Sequence, residues 1–214
     1  MALVKRFNFR RMTHWRYIEL GGSSSQTAWR APDGNFQFAP GVIWASGQLV
    51  ALACPGLIRD GRVWYATNLG WPEVADPAGK LGIAPPRILV NDALAAALGE
   101  AALHGGAVLP DLYYVALGTG VGSAQVTQGA AGDWNLGHTI IGGTAFCAGC
   151  RAIGCLKAYL AADRLPSRLS SADAHQIAQC LALALDRIAS DSARPLVLAG
   201  AVELKQSLKV GRSS

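Results

Sequence analysis

The sequence predicts an α/β protein of two lobes, and three observations support this prediction. Short apolar strands alternate along the chain with helical patterns. A glycine-rich loop follows a strand in each half, at Gly21 and again at Gly118. No segment repeats at a fixed period, which argues against a solenoid. We therefore expect one lobe over residues 1–110 and a second over residues 111–214.

The first lobe is predicted to contain three strands and one long helix. RYIEL, Arg16–Leu20, is a short apolar strand that runs into the small-residue loop GGSSSQT. The next strands are GQLVALACPG, which ends at a Pro-Gly turn, and RILV, which ends at Asn91. Asp92 can cap the helix ALAAALGEAALHGG, whose end is marked by Gly105 and Gly106.

The second lobe is predicted to open with a hairpin and to continue with a long helix. LYYVALGTGVGSAQV, Leu112–Val126, has apolar strands on both sides of a Gly-Thr-Gly turn. Ile177, Leu181, Leu185 and Ile188 recur at helical spacing, and RPLVLAGAV is a final strand with a glycine turn.

Composition and charge exclude several classes of protein. Apolar residues make up 51% of the chain and charged residues 15%, but every apolar run is interrupted before the roughly 18 residues that a membrane span needs. The start lacks a secretory signal, so we expect a cytoplasmic protein.

The net charge of +5 is concentrated at the two ends, in Lys5, Arg6, Arg10, Arg11, Arg16, Lys205, Lys209 and Arg212. We interpret the basic start as a solvated arm, because no helix-turn-helix pattern precedes Tyr17, and we expect no nucleic-acid or membrane partner.

The cysteines predict a metal site. Four potential ligands lie close together in a glycine-rich segment, namely His138, Cys147, Cys150 and Cys155. One nitrogen and three sulfurs form the closed ligand set of a structural zinc ion. A redox CxxC pair is the alternative, because CAGC has that spacing, but it leaves a cysteine and the histidine unexplained. Cys54 and Cys180 lie in apolar surroundings typical of inert, buried thiols.

The two glycine loops offer backbone amides to phosphate groups. Glu19, just before the first loop, can hold a magnesium ion through water. Neither loop matches the Walker pattern, so an ordinary P-loop is disfavoured. The residues are Gly21, Gly22 and Ser23 in the first loop and Gly118, Thr119 and Gly120 in the second. One such loop per lobe is typical of a nucleotide held by two domains.

Asp92 allows two interpretations, because it stands after a strand and before a helix. It can be a helix cap. It can equally be a general base, since a carboxylate at the carboxyl end of a parallel strand faces the crevice where open α/β sheets bind ligands. Asn91 beside it has a donor and an acceptor able to orient a polyhydroxylated substrate.

These motifs, in this order, resemble those of the ROK family (repressors, open reading frames and sugar kinases), which has the two-lobed actin-like ATPase, or ribonuclease H-like, α/β fold. IELGGSSS resembles its first phosphate loop, CPG and NLGW its sugar-contacting segments, and VNDALAAALGE the helix start whose aspartate takes the proton of the sugar hydroxyl. LGTGVG resembles the second phosphate loop, LGH with the cysteines the zinc-binding signature, and LVLAGAV the strand and turn beside the adenosine. The resemblance covers most of the chain.

The resemblance implies an ATP-dependent kinase that acts on a hydroxyl group of a sugar, amino sugar or cyclitol. It further implies Mg²⁺ on the phosphates and a structural Zn²⁺, and it allows a homodimer. Asp92 would be the base, and Gly200 would lie on the adenosine side. The substrate would be held by Asn68, Asn91, Asn135, His138 and Lys157.

The sequence also departs from the family pattern. Asn135 and Lys157 replace two glutamates that usually hold sugar hydroxyls, which changes the substrate that the site accepts. CAGC has one residue more between its cysteines than is usual, and Glu19 and Ser23 replace an aspartate and a threonine. The chain is shorter than typical members, with segments missing after GGSSSQT, after KAYLAAD and beyond Val202. A degenerate member that binds a ligand or partner without phosphoryl transfer is therefore the second class of function. A transcriptional repressor is less favoured, because no DNA-binding domain is recognised.

Overall fold

In the computed structural model the chain is described over residues 14–22, 24–105, 108–161, 164–165, 170–189 and 193–200. It divides into two compact units, Met1–Ala96 and Ala97–Ser214. This division falls within the helix Asp92–Gly105. The predicted lobe boundary, at residues 110–111, comes after the end of that helix. Ser23, the basic residues before His14 and those after Gly200 lie outside the described residues.

The first unit is built on a five-stranded sheet. In chain order its elements are β1 (Trp15–Leu20), β2 (Ser25–Arg30), β3 (Phe36–Pro40), β4 (Leu49–Cys54), β5 (Leu57–Arg59), β6 (Arg62–Tyr65), α1 (Pro77–Leu81), β7 (Ile88–Asn91) and the start of α2 (Asp92–Gly105). The strand order is β3-β2-β1-β4-β7, with β5 and β6 in a separate hairpin. Because β1, β4 and β7 run parallel, their carboxyl ends meet at one edge of the sheet.

The core of the first unit lies on one face of this sheet. Alternate residues of β4 are buried, as expected when a strand covers a core with one of its two faces. Ile18 and Leu20 of β1 join them, and the residue types are the branched and apolar ones that fill a core.

The opposite face is partly open beside β3. Phe36 and Phe38 point outward there and are 50% and 69% exposed. The connection from β3 to β4 spans only residues 41–48 and contains no helix. The buried hydroxyl of Thr27 stabilises the start of this connection. It donates a hydrogen bond to Gly41 O (2.7 Å) and accepts one from Ile43 N (2.9 Å). A family segment is expected to be missing in this part of the chain.

The second unit contains a four-stranded sheet and a long helix. After the rest of α2, its elements are β8 (Leu112–Leu117), β9 (Val121–Thr127), β10 (Ala130–Asp133), α3 (Lys157–Leu160), α4 (Ser171–Ile188) and β11 (Leu196–Gly200). The strand order is β10-β9-β8-β11, with β8 and β11 parallel. A capping box of Ser170 and Asp173 begins α4. Ile177 and Leu181 of α4 are buried in the core of this unit.

The predicted hairpin, the predicted strands and both long helices are confirmed. The sequence analysis did not predict β2, β3, β5, β6 or β10, which are short and exposed on at least one face, so that little apolar periodicity marks them. Within the described ranges, no helix combines the length and the apolar character that crossing a bilayer requires.

Candidate active site and metal centre

Polar groups of the first unit gather where the three parallel strands end. Glu19 lies beside Ala53 in the register of β1 and β4, and Cys54 lies beside Asn91 in the register of β4 and β7. Asp92 follows Asn91 directly as the first residue of α2. The structure therefore brings Glu19, Asn91 and Asp92 to the same edge of the sheet, as the strand order requires.

The side chain of Asn91 forms hydrogen bonds that stabilise this edge of the sheet. Its side-chain oxygen accepts hydrogen bonds from the amide nitrogens of Ala93 (2.9 Å) and Leu94 (3.4 Å). Its side-chain nitrogen donates to the carbonyl oxygen of Gly56, at 3.1 Å. Asn91 thus caps α2 and ties it to the turn after β4.

The prediction that Asp92 caps the helix is therefore wrong in its position. An N-cap residue precedes the first helical residue, and its side chain reaches the second and third helical amides. Asn91 meets this description, whereas Asp92 is itself helical. Asp92 Oδ1 does accept from Ala93 N (2.9 Å), but that amide is already served by Asn91. The Asp92 carboxylate is consequently not needed to begin the helix.

Gly56, in the CPG motif, allows the turn after β4 to approach the end of the β5–β6 hairpin closely. Its φ of +104° is disfavoured for residues with a side chain. A Cβ atom there would also collide with the backbone of Tyr65 and Ala66. The glycine is thus required for the turn that Asn91 holds.

The surroundings of Asp92 make its carboxylate a stronger base. Burial raises its pKa above the usual aspartate range, and the nearby charge of Glu19 raises it further, against a hydrogen bond from the Ala93 amide that lowers it. Burial, with a contribution from Asp92, also raises the pKa of Cys54 to about 12. Cys54 is fully buried, so it is the inert thiol that its surroundings predict. A half-buried carboxylate with a raised pKa has the property expected of a general base.

The first glycine loop forms a tight turn next to Glu19. The amide nitrogen of Gly21 donates to the carbonyl oxygen of Ser24, at 2.7 Å. Asn68 lies on a single 3-10 turn, Thr67–Leu69, and is half-buried. Among the described residues its side chain has no hydrogen-bond partner, which leaves its amide available to a ligand. The ligand roles of Gly21, Gly22 and Asn68 stay predictions.

The second glycine loop lies at one end of the sheet of the second unit. Gly118, Thr119 and Gly120 connect β8 to β9, and the loop is closed by a 2.9 Å hydrogen bond from Gly118 N to Gly120 O. Gly200 pairs with Leu117, immediately before this loop. The structure thus brings together the second loop and Gly200, which the sequence separates by about 80 residues.

The segment that carries His138 is fixed to β9. Leu136 N donates to the Ser123 hydroxyl at 2.8 Å, and both groups are buried. Gly137 lies so close to the backbone of Val121 that a Cβ atom would collide with it. Asn135 is exposed and has a left-handed backbone, with φ of 50°, which Asn tolerates better than most residues.

An aromatic stack supports the same segment and was not predicted. Trp134 stacks on Tyr113 with 4.2 Å between ring centroids and an interplanar angle of 6°. The guanidinium carbon of Arg194 lies 4.9 Å from the centroid of Tyr113, and Arg194 Nη1 donates to Thr127 Oγ1 at 2.9 Å. Tyr113 lies in β8, whereas Trp134 follows β10 and Arg194 precedes β11, so no local sequence pattern indicates the stack.

His138 and the three cysteines form a compact cluster. Their potential ligand atoms all lie within 4.8 Å of one another. Two sulfurs bound to a tetrahedral zinc ion stand about 3.8 Å apart, and the sulfurs of Cys150 and Cys155 are 3.7 Å apart. Cys155 Sγ is 4.0 Å from His138 Nδ1, close to the roughly 3.6 Å that zinc imposes on a sulfur and a nitrogen. The donor set and its spacing fit a zinc ion.

Backbone pairing brings the ligands of this cluster together. Ile140 bridges to Cys155, which places the His138 segment beside the last cysteine. The turn CAGC is closed by a 2.8 Å hydrogen bond from Arg151 N to Cys147 O, with Arg151 in a left-handed conformation. The Tyr159 hydroxyl donates to Gly142 O at 3.0 Å and thereby holds the intervening loop. Sequence analysis did not predict this role of Tyr159.

The pKa shifts of His138, Cys147 and Cys155 follow from burial and from neighbouring groups of the cluster. Burial and the charge of Lys157 lower the pKa of His138, so that its imidazole is neutral as a ligand must be. Burial raises the pKa of Cys147, but backbone amides of Cys150 and Gly149 and the neighbouring thiols more than offset it, so the net shift is downward. Burial raises the pKa of Cys155 to about 12, with contributions from the Cys147 and Cys150 thiols and against a hydrogen bond with the Ala158 amide that lowers it. A cation at the centre of the cluster would stabilise the thiolate forms of these cysteines.

Comparisons with known proteins agree with this arrangement. Residues 44–196 match the model of the ROK family. A ROK family protein from Streptococcus pneumoniae TIGR4, solved with sucrose, superimposes with a TM-score of 0.58 at 16% identity, covering 88% of this chain and 80% of that one. ROK hexokinase from Thermus thermophilus gives 0.56 at 22% identity, with 86% and 80% covered.

A third structure, a ROK family glucokinase from Streptomyces griseus in complex with glucose and AMPPNP, gives a TM-score of 0.52 at 22% identity, covering 79% of this chain and 64% of that one. A search of curated proteins finds no match. At these identities the likeness establishes the fold alone. It confirms the predicted α/β actin-like ATPase (ribonuclease H-like) fold.

Proposed function

Because the chain belongs to the ROK family, we propose that it is an ATP-dependent kinase that phosphorylates a hydroxyl group of a sugar or a sugar-like molecule such as an amino sugar or a cyclitol. The observation that carries the proposal is the place of Asp92. It lies at the carboxyl edge of the parallel strands, it is not needed as the helix cap, and burial raises its pKa. These are the properties of a carboxylate that accepts a proton rather than one that only stabilises a helix.

In the proposed mechanism Asp92 orients the acceptor hydroxyl and receives its proton as the new bond to phosphorus forms. Asn91 holds Asp92 in place through its bonds to α2 and to Gly56. Because phosphoryl transfer depends mainly on positioning and on the stabilisation of charge, this rigid support matters as much as the basicity of the carboxylate.

The two glycine loops are proposed to bind phosphate groups, with Glu19 near a magnesium ion. Gly21 and Gly118 begin tight turns, each closed by a backbone hydrogen bond from its own amide, and the remaining amides of such turns can bind an anion. The exposed carboxylate of Glu19 lies immediately before the first of these turns, where a magnesium ion coordinated by phosphate and water would meet it. When bound, ATP supplies the phosphoryl group and Mg²⁺ neutralises its charge. Gly200, beside the second loop, is proposed to contact the nucleoside.

The substrate is proposed to contact five polar residues, Asn68, Asn91, Asn135, His138 and Lys157. Two solved neighbours support a sugar, since one was crystallised with sucrose and another with glucose and AMPPNP. Asn135 and Lys157 favour a molecule other than a neutral hexose, because Asn135 accepts a hydroxyl hydrogen bond only through a neutral amide oxygen and Lys157 cannot accept one. Zn²⁺ is proposed to be structural, because four protein ligands leave no coordination position open. A homodimer and a cytoplasmic location stay predictions.

The proposal is tested by nucleotide turnover. ADP release is measured by a coupled assay with Mg-ATP and with panels of sugars, sugar acids, amino sugars and cyclitols, and binding of Mg-ATP is measured by calorimetry. Saturable, substrate-dependent ADP release is the expected result. A zinc-loaded, folded chain that binds no Mg-ATP at millimolar concentration and turns over none of the panel would refute it. The alternative, a ROK-fold protein that binds a ligand without phosphoryl transfer, would then be favoured.

A further inference from the structure

Three groups surround one point of the metal cluster, the position where a side chain on Gly149 would begin. A Cβ atom there would lie 3.3 Å from the ammonium nitrogen of Lys157, 3.5 Å from His138 Cε1 and 3.7 Å from Cys147 Sγ. Gly149 thus leaves a gap that the ammonium group enters. Lys157 reaches it from the first residue of α3, two positions after the ligand Cys155.

The metal cluster needs a positive charge beside it. Three thiolates and a neutral imidazole around a divalent ion carry a net charge of about −1, and the site is partly desolvated because Cys147 and Cys155 are buried. A charge in a partly desolvated site is stable only when an opposite charge or hydrogen bonds compensate for it.

Lys157 is placed to compensate for this charge. It is half-buried, and its ammonium nitrogen lies beside the Gly149 position that His138 and Cys147 also border. Within the described ranges, no carboxylate forms an ion pair with Lys157. Arg151 also belongs to the CAGC loop, but it is exposed to solvent, where charge is screened.

We propose that Lys157 is a positioning residue of the metal centre, whose ammonium group neutralises the thiolate charge and so tightens zinc binding. Gly149 belongs to the same arrangement, because a side chain there would displace the ammonium nitrogen. The proposal depends on the cluster and not on kinase activity, so it can fail or succeed independently of the proposed function.

The test measures zinc affinity by competition with a chromogenic chelator. Lys157→Met removes the charge and keeps most of the length, whereas Lys157→Arg keeps the charge. We expect Lys157→Met to weaken zinc binding by about 10- to 100-fold, the range for groups that support metal ligands. Lys157→Arg should retain most of the affinity. Lys80→Met, the same change at an exposed position in the last turn of α1, is the matched control and should leave zinc binding unchanged.

Cobalt substitution separates loss of charge from loss of ligands. If Lys157 acts by charge, the cobalt form of Lys157→Met keeps the visible spectrum of a tetrahedral three-thiolate site while its affinity falls. Lys157→Gln is a second charge-removing variant, in case the first does not fold. Equal zinc affinity of wild type and the charge-removing variants would overturn the proposal. So would a Lys157→Arg variant as weak as Lys157→Met, or a wild-type chain that binds no zinc.

Discussion

Replacing Asp92 by Asn separates its proposed role as a base from any role in the helix. The substitution keeps the shape of the side chain, and α2 keeps its cap because the acceptor for Ala93 N is the oxygen of Asn91. Removal of a general base typically lowers turnover by about 10²-fold or more. In the wild type, turnover should also fall as pH decreases through the raised pKa of Asp92, since only the carboxylate accepts the proton.

The same change should not destabilise the protein. Burial, and then Glu19, raise the pKa of Asp92 in the folded state, so the folded chain binds this proton more tightly than the unfolded chain does. The free energy of unfolding therefore falls as pH rises from the unfolded-state pKa of about 3.9 through the folded-state pKa. Asn carries no such charge. We expect Asp92→Asn to be at least as stable as the wild type at neutral pH, with the difference in Tm shrinking towards acid pH.

Two assays decide between these roles. Coupled ADP release gives kcat and KM, and thermal unfolding between about pH 4 and pH 8 gives the difference in Tm. Asp76→Asn is the matched control, since Asp76 caps α1 by accepting from Ala78 N and Gly79 N, and Asn caps a helix as well as Asp. A variant at position 92 that keeps most of the wild-type turnover would refute Asp92 as the base. A variant clearly less stable than the wild type at neutral pH would contradict the argument from burial.

Two further predictions concern residues that stabilise the candidate active site and the metal centre. Asn91→Ala removes the acceptor for Ala93 N and the donor to Gly56 O, so the free energy of unfolding should fall by about 1–3 kcal/mol in urea titrations; an unchanged value would contradict its role as a cap. Cys155→Ser, or treatment of the wild type with a chelator, should lower Tm far more than Cys180→Ser, a thiol outside the cluster, because zinc binding contributes to folding. Equal shifts in Tm for the two cysteine variants would exclude a structural metal.

Local chemistry made much of the candidate site predictable. The spacing of His138 and the three cysteines predicts a closed zinc site, because ligand type and short separation alone indicate it. The apolar runs RYIEL and RILV predict two of the strands that carry site residues. Their parallel pairing with β4, which brings Glu19 and Asn91 to one edge, was not predicted. Glycine and apolar spacing are properties of short segments, so they can be read without knowledge of the fold.

The wrong N-cap prediction for α2 shows the limit of what short sequence patterns can predict. Asn91 and Asp92 are both good N-cap residues, and the sequence does not show which of them is the first helical residue. The bond from Asn91 to Gly56, 35 residues away, decides this, because it holds Asn91 outside the helix.

The amino-acid sequence by itself determined the α/β class, the order of the main strands and helices, and the chemical types present at each candidate site. Only the tertiary structure decided which groups meet: Lys157 with Gly149, Trp134 with Tyr113, and Asn91 with Gly56. The physical reason is that secondary-structure preference and ligand spacing act over a few residues, whereas burial, charge compensation and the pKa of Asp92 depend on side chains that packing brings together from different elements.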